Sequence, residues 1–354
     1  MKEFTLNMLS RAEAVKGQGV LSAYEEELEL VTGRLDRLQG DEHDFHLNVL
    51  VNSKTVGDIT HIYTVNPEFY VQVPFLKMKS IVVGSVHFLP ETVDQSLKLP
   101  EAFRKAFYGY LIQFYKSMDH LVTVNPCFIP KIEAYGIDPQ RVTYIPNYVS
   151  SSRFFPADLQ KKRELRVRYG LDPDRFTVVC AGQLQTRKGV ADFAKLAAQR
   201  PQMQFVWAGD FSFGSISDGH REIEQLVKEH PDNLRFTGLI EREKMAEIYQ
   251  MGDVMLLPSY DELFPMTVLE AMSCGIPILL RDLDLYKVIL DGYYLAASDD
   301  REFLNQLDRL KTEPDYYAQA MAKAKCGNDF YGQEHVLSMW RRFYHQMLEE
   351  SIRR

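Results

Sequence analysis

The sequence predicts an α/β protein made of doubly wound sheets. Two patterns carry this. Short apolar runs of strand length alternate with helix-period segments along both halves of the chain. Polar loops with glycine, lysine, histidine or glutamate fall just past the carboxyl ends of several of these runs, where parallel sheets gather ligands. Size agrees: 354 residues with 45% hydrophobic content suffice for two domains with real cores.

In chain order, Phe4 to Leu9 reads as the first strand, followed by a loop with Lys16-Gly17-Gln18-Gly19 and a helix from about Val20. Gly17 and Gly19 allow backbone to approach a phosphate or a sugar. A plain strand-to-helix turn fits equally well, because Ser22 stands where a dinucleotide fingerprint needs its third glycine. His46 to Val51 and Ile59 to Val65 are further strands, and Ile81 to Val86 ends at His87. That position suits a ligand contact, although a lone histidine is more often a satisfied structural residue.

Lys98 to Met118 reads as a helix with Leu99, Phe103, Ala106, Phe107, Tyr110, Leu111 and Phe114 on its core face. The opposite face carries Arg104, Lys105, Tyr108, Ile112, Tyr115 and Lys116. Cations interleaved with tyrosine and isoleucine suit an anionic lipid interface; a helix packed on both sides is the alternative. Leu121 to Asn125, a helix from Pro126 and Val142 to Ile145 complete a first domain over residues 1–147.

The basic cluster Lys161, Lys162, Arg163, Arg166 and Arg168 reads as a solvated helix face or a second lipid contact. Strand–helix alternation then resumes with Thr177 to Ala181, Gln204 to Ala208 and Leu234 to Thr237, in a second domain over 148–332. The loop Gly182-Gln183-Leu184-Gln185-Thr186-Arg187-Lys188-Gly189 follows the first of these strands. Past Ala297 the chain reads as helical, over roughly 301–311, 315–325 and 333–351.

Chemistry concentrates between Asp253 and Asp282. Val254 to Leu257 is a strand ended by Pro258-Ser259, a polar loop holds Asp261 and Glu262, and Thr267 opens a helix bearing Glu270. Gly275 and Pro277 close that helix ahead of a buried strand, Ile276 to Leu280. A helix starting past the carboxyl end of a parallel strand offers unpaired N–H groups to a phosphate. Two carboxylates flanking it can each hold a pair of vicinal hydroxyls. On spacing alone a structural reading stands beside this one. Thr267 and Glu270 fit a capping box, and Glu262 fits a solvated loop acid.

Composition narrows the classes. Cys127, Cys180, Cys274 and Cys326 show neither zinc-ligand spacing nor a disulfide framework, and read as reduced thiols of a cytoplasmic protein. The first residues lack the apolar core of a signal peptide, and no run reaches transmembrane length. A formal charge of −8 argues against a general nucleic-acid binder. Asp282-Leu283-Asp284 and Asp172-Pro173-Asp174 match an Asp-x-Asp metal triplet, but neither has further ligands in view.

Pro258-Ser259, Glu262, then seven residues to Glu270-Ala271-Met272, with Gly275 and Pro277, resembles the nucleotide-sugar signature of retaining glycosyltransferases of family 4. Met8-Leu9-Ser10, Lys16-Gly17-Gln18-Gly19-Val20, Gln185-Thr186-Arg187-Lys188-Gly189 and Phe264-Pro265-Met266 extend the likeness toward bacterial glycosyl-diacylglycerol synthases. The resemblance implies the GT-B fold, two Rossmann-like domains facing a cleft, with the last helix (333–354) crossing back to the first domain. It implies a UDP-glucose or UDP-galactose donor, a glycolipid acceptor and no metal or other cofactor. Lys188 would grip the diphosphate, Glu270 the ribose, and Glu262 the donor-sugar hydroxyls. His87 would be a sugar-hydroxyl or transition-state contact, and Gly17, Gly19, Phe264, Met266 and Thr267 would border the donor.

Two departures stand out. Gln183 occupies the place of the family's arginine, with Arg187 as the candidate substitute, and Pro265 replaces a glycine of the loop and offers no N–H. The expected protein is therefore a peripheral enzyme on the cytoplasmic membrane face. The rival readings are a transferase to a soluble or cell-wall acceptor and a catalytically silent sugar- or lipid-binding homologue.

Overall fold

The computed structural model describes residues 2–12, 19–35, 37–38, 45–94, 101–211 and 219–353. The chain divides into two compact units. The first comprises Met1–Asp94, Leu99–Tyr148 and Gln333–Arg354, and the second Val149–Gly332.

The first unit is built on strands β1 (Lys2–Leu9), β2 (Arg37–Leu38), β3 (Phe45–Val51), β4 (Ile59–Ile62), β5 (Ile81–Val86), β6 (His120–Thr123) and β7 (Val142–Tyr144). Their order is β2-β3-β1-β4-β5-β6-β7, with every neighbour parallel except the short edge strand β2. The strand order reverses between β1 and β4, which opens the crevice typical of doubly wound sheets at their carboxyl ends. All six residues of β5 are buried, as a parallel strand covered on both faces requires.

The helix Gln333–Arg353 lays Val336, Leu337, Trp340, Phe343, Tyr344, Met347 and Leu348 into the core of this unit. The predicted stripe Trp340, Phe343, Tyr344 and Met347 is thus its buried face, with Trp340 stacked on Tyr344 at 5.3 Å. Burying each such ring contributes about 1.5–3 kcal/mol at most, and the shared stripe ties the end of the chain to its beginning. Tyr344 also keeps its hydroxyl satisfied, 2.8 Å from Nδ1 of buried His61.

The second unit contains β8 (Thr177–Ala181), β9 (Gln204–Ala208), β10 (Leu234–Phe236), β11 (Val254–Leu257), β12 (Ile278–Arg281) and β13 (Leu295–Ala297), all parallel. The order β10-β9-β8-β11-β12-β13 reverses between β8 and β11, so the loops after these two adjacent strands flank the crevice. The two expected doubly wound domains are present. No strand is expected from the sequence at β2 or β13, which are two and three residues long.

The basic cluster is spent on structure. Arg166, 4% exposed, and Lys162 both bind Asp253, at 2.6 and 3.1 Å, while Asp253 also accepts from the Thr177 amide. Arg163 pairs with Asp174 and Arg168 with Glu247. These contacts fasten the helix Leu159–Arg168 to the base of the second sheet, while Arg163 and Arg168 stay more than half exposed, in keeping with the solvated-face reading.

Gly189 closes the loop after β8 with φ +73°, and a Cβ there would stand 2.4 Å from the Pro258 carbonyl oxygen. Both the backbone and the close approach of the β11 loop demand glycine. Gly189→Ala is expected to cost about 1–3 kcal/mol of stability, read as a lower denaturant midpoint of the second unit's transition. An unchanged midpoint would contradict this packing.

Candidate active site

The crevice between β8 and β11 holds a buried ion pair. Lys188, in the short turn Thr186–Lys188 after β8, places Nζ 2.5 Å from Oε1 of Glu262, in the loop after β11. Both side chains are largely out of water, at 13% and 5% exposure. Ser259 donates to the same carboxylate oxygen at 2.7 Å, and the Arg187 guanidinium lies 4.0 Å from the other. Arg187 is itself aimed by Gln185 and by the Asp261 carbonyl. Burial pushes the Glu262 carboxyl up, but Lys188 and Arg187 outweigh it and hold the group below the usual carboxylate range. Burial lowers the Lys188 ammonium, and the adjacent Glu262 opposes that fall. Glu262 is therefore no solvated loop acid.

Glu270 lies on the helix Met266–Ser273 and is 6% exposed. Its Oε2 accepts from the Tyr249 hydroxyl at 2.5 Å. The capping box of the alternative, structural reading does not form. The helix starts one residue earlier than predicted, with Pro265 as its N-cap and no side-chain cap, so Thr267 lies inside the helix and Glu270 in its second turn. Gly275 closes the helix at φ +74°, as anticipated.

Among the other donor candidates, Phe264 is buried edge-on against Tyr331 at 5.4 Å, Met266 is buried, and Thr267 and Gln183 are half-buried. Gly19 opens the helix Gly19–Arg34, while Gly17 lies outside the described residues. His87 belongs to the first unit, directly after β5, and is 8% exposed. Burial lowers its imidazole to about 4, against a hydrogen bond that the ring donates to the Tyr63 backbone, so it is neutral near pH 7. Ser259, Gln185 and Tyr249 were not singled out. Ser259 was visible as part of the Pro-Ser signature, whereas nothing in the sequence marks Tyr249 as the partner of Glu270.

The lipid face predicted for residues 98–118 needs correction. The helix spans Glu101–Ser117, and its buried side is rotated from the expected stripe. Tyr115 is fully buried and donates to the Phe88 carbonyl at 2.9 Å, so it cannot meet a membrane in this fold. Tyr108, Ile112 and Arg104 are half-buried. Lys105 and Lys116 are exposed, beside Ala106, Gly109 and Gln113, and Lys105 pairs with Glu101 at 2.8 Å. A tyrosine is amphipathic enough to bury once its hydroxyl finds a carbonyl, which helical periodicity does not reveal.

No group of three or more His, Cys, Asp or Glu side chains among the described residues is arranged to hold a metal. Asp282 and Asp284 share Lys287, at 3.1 and 3.3 Å.

The pair arrangement carries a direct test. Glu262 neutralises Lys188 in the free protein, so a diphosphate that takes Lys188 competes with this carboxylate for it. Glu262→Gln should bind UDP several-fold more tightly by calorimetry. Lys188→Ala should bind it more weakly and lower any transfer rate by about 10²-fold. A Glu262→Gln protein that binds UDP less tightly than wild type would refute the exchange.

Comparison with known proteins follows the same lines. A family model described as glycosyl transferases group 1 matches residues 161–325, spanning both halves of the ion pair and Glu270. The chain is 42% identical, over 97% of its own length and 90% of the other's, to the alpha-galactosylglucosyldiacylglycerol synthase of Streptococcus pneumoniae. It is 23% identical, over 66% of its length and 68% of the other's, to the processive diacylglycerol alpha-glucosyltransferase of Acholeplasma laidlawii. Its fold is similar to sucrose-phosphate synthase from Thermosynechococcus elongatus, with a TM-score of 0.76 at 18% identity over 98% and 99% of the chains. It is also similar to Anabaena HepE in complex with UDP-glucose, with a TM-score of 0.75 at 14% identity over 97% and 100%. The near full-length identity, the two doubly wound sheets and the paired Lys188 and Glu262 converge: the chain belongs to the group 1 glycosyl transferases, with the GT-B fold, and within them to the relatives of glycosyl-diacylglycerol synthases.

Proposed function

We propose that this enzyme moves a hexose from a UDP-sugar to monohexosyl-diacylglycerol in a membrane, with retention of anomeric configuration. The observation that carries this reading is the buried Lys188–Glu262 pair at the β8–β11 crevice. It supplies one cation for a leaving diphosphate and one carboxylate for sugar hydroxyls. The 42% identity to a protein named for making galactosylglucosyldiacylglycerol supports a galactose donor and a glucosyl-diacylglycerol acceptor as the first pair to try.

In this reading the diphosphate takes Lys188, with Arg187 as the second cation that Gln183 cannot be. The uncapped start of the helix Met266–Ser273 faces the same charge with its amides. Glu262, released from Lys188, accepts from donor-sugar hydroxyls, and Glu270 accepts from the ribose. The charge developing on the leaving diphosphate is met by a positioned ammonium in a nearly dry site, where such stabilisation is strongest. The lysine and the helix terminus do the work a divalent ion would do, so the activity is proposed to be metal-independent.

The direct experiment incubates the enzyme with UDP-galactose or UDP-glucose and anionic vesicles carrying diacylglycerol or glucosyl-diacylglycerol, with and without chelator. The expected product is an α-linked dihexosyl lipid, formed at the same rate in chelator. Transfer only to soluble saccharides would favour the soluble-acceptor reading. Abolition by chelator with recovery in manganese would overturn metal independence.

Membrane docking is proposed to be peripheral. No helix among the described residues is long and apolar enough to cross a membrane. The surface suited to docking is the turn after the short helix Pro67–Tyr70 and the next short helix, Val73–Leu76, where Val71, Phe75 and Met78 are 65%, 74% and 77% exposed. Exposed Lys77 and Lys79 stand between and beside them. Tyr70 packs against Tyr110 and Phe114, which sets this turn beside the helix bearing Lys105 and Lys116. Exposed apolar side chains beside Lys79 suit insertion into an anionic interface, where a lysine contributes about 1 kcal/mol, while Lys77 is held by Asp119 at 3.1 Å. The variant Phe75→Ser/Met78→Ser/Lys79→Gln is expected to lose at least tenfold in binding to anionic vesicles while binding UDP as wild type does. Undiminished sedimentation with vesicles would move the docking surface elsewhere.

A further inference from the structure

Glu262 sits on a loop, and a second cation outside the ion pair lies where that loop meets its neighbours. Arg281 ends β12, the strand beside β11, and its side chain is 11% exposed. Its Nε donates to the Pro258 carbonyl at 3.0 Å, and a terminal nitrogen pairs with Asp192 at 2.6 Å. Its Cζ stands 4.0 Å from the centre of the Tyr260 ring, a close cation–π stack.

These partners lie on both sides of the Lys188–Glu262 pair. Pro258 and Tyr260 belong to the loop after β11 that carries Glu262. Asp192 lies in the first turn of the helix Val190–Gln199, which starts directly after Lys188 and Gly189. The Pro258 oxygen that Arg281 binds is also the one that crowds Gly189. A backbone bond closes the same junction, the Tyr260 amide donating to the Arg187 carbonyl at 2.8 Å. Tyr260 is 53% exposed, so burial does little to fix its ring. The guanidinium and the amide bond hold it instead. Asp192 matches the charge of Arg281, which therefore acts on the loop and is no further cation for a diphosphate.

We propose that Arg281 is a positioning residue for sugar transfer: stacked on Tyr260, it holds the Glu262 loop against the Lys188 turn and sets how readily that pair opens to a diphosphate.

The chemistry asks for an arginine. A lysine keeps the charge for Asp192, but it cannot lie flat on a ring while donating sideways to a carbonyl. With the clamp released, the loop visits positions in which Glu262 leaves Lys188. The ammonium then meets a diphosphate with less competition, while the hexose hydroxyls lose a fixed acceptor. UDP affinity should rise as turnover falls. A residue that served only to stabilise the fold would not move the two in opposite directions.

The inference rests on the proposed competition between Glu262 and a diphosphate for Lys188, and two backgrounds keep the two apart. UDP binding is measured by calorimetry for Arg281→Lys, Tyr260→Ala and Tyr260→Phe, each alone and combined with Glu262→Gln. Turnover is measured for the single variants with UDP-galactose and glucosyl-diacylglycerol. Arg281→Lys and Tyr260→Ala are each expected to bind UDP about threefold more tightly than wild type. Neither should change the affinity of Glu262→Gln, where the carboxylate they act through is gone. Their kcat should fall about tenfold or more, and Tyr260→Phe, which keeps the ring, should match wild type. Equal shifts in both backgrounds, no shift in either, or weaker UDP binding would overturn the proposal. Should Arg281→Lys fail to fold, Tyr260→Ala, at an exposed position, carries the same comparison. If Glu262→Gln does not itself tighten UDP binding, the competition fails and turnover decides. A tenfold loss of kcat in Tyr260→Ala that Tyr260→Phe does not share then upholds the positioning role, and an unchanged or absent kcat overturns it.

Discussion

An ammonium and a carboxylate held 2.5 Å apart with little access to water set the terms for the second unit. Desolvating two charges costs several kcal/mol per ion, which their attraction offsets only if the geometry is kept and further hydrogen bonds are made. The surrounding residues are arranged to keep it. Gly189 lets the β8 loop turn against Pro258, Ser259 donates to the carboxylate, and Gln185 and the Asp261 carbonyl aim Arg187 alongside. The pair draws together loops from strands that are adjacent in space and more than seventy residues apart in sequence. It is also poised for exchange, because each partner is the group that an anionic, hydroxyl-rich ligand would take.

The first unit answers the same cost differently. Its interior holds Glu27, His61 and His87, and burial drives all three to their neutral forms. Uncharged polar groups need only hydrogen bonds, and the helix Gln333–Arg353 supplies part of them through Tyr344 while stacking Trp340 over the same region. One unit thus handles charge and the other handles neutral donors and acceptors.

Surface features show where pattern reading runs out. The cluster from Lys161 to Arg168 is a run of charge in the sequence and a set of tethers in the fold, with Arg166 nearly inaccessible. Tyr115 sits on the predicted lipid face and is buried, because the Phe88 carbonyl lies within reach. Phe75 and Met78 look like core residues by composition and are among the most exposed apolar side chains of the described residues.

By itself the sequence determined the fold class and most strand positions, and it marked Lys188, Glu262 and Glu270 as candidates. Those signals are local: β5, β8, β9 and β11 span the predicted residues, since a buried parallel strand is a short unbroken apolar run. Glu262, Glu270 and Lys188 were legible because each sits in a short local motif that resembles the family's, whereas spacing alone left a structural reading beside the functional one. Tertiary structure alone decided who pairs with whom. It joined Lys188 to Glu262, gave Glu270 to Tyr249 in place of a helix cap, and left Glu27 and His87 unpaired around one cavity. It also decided which side of the helix Glu101–Ser117 is buried. The reason is physical: burial and partnership are set by which elements pack together across the sheet order, and a linear period records the face of one element, not its neighbour.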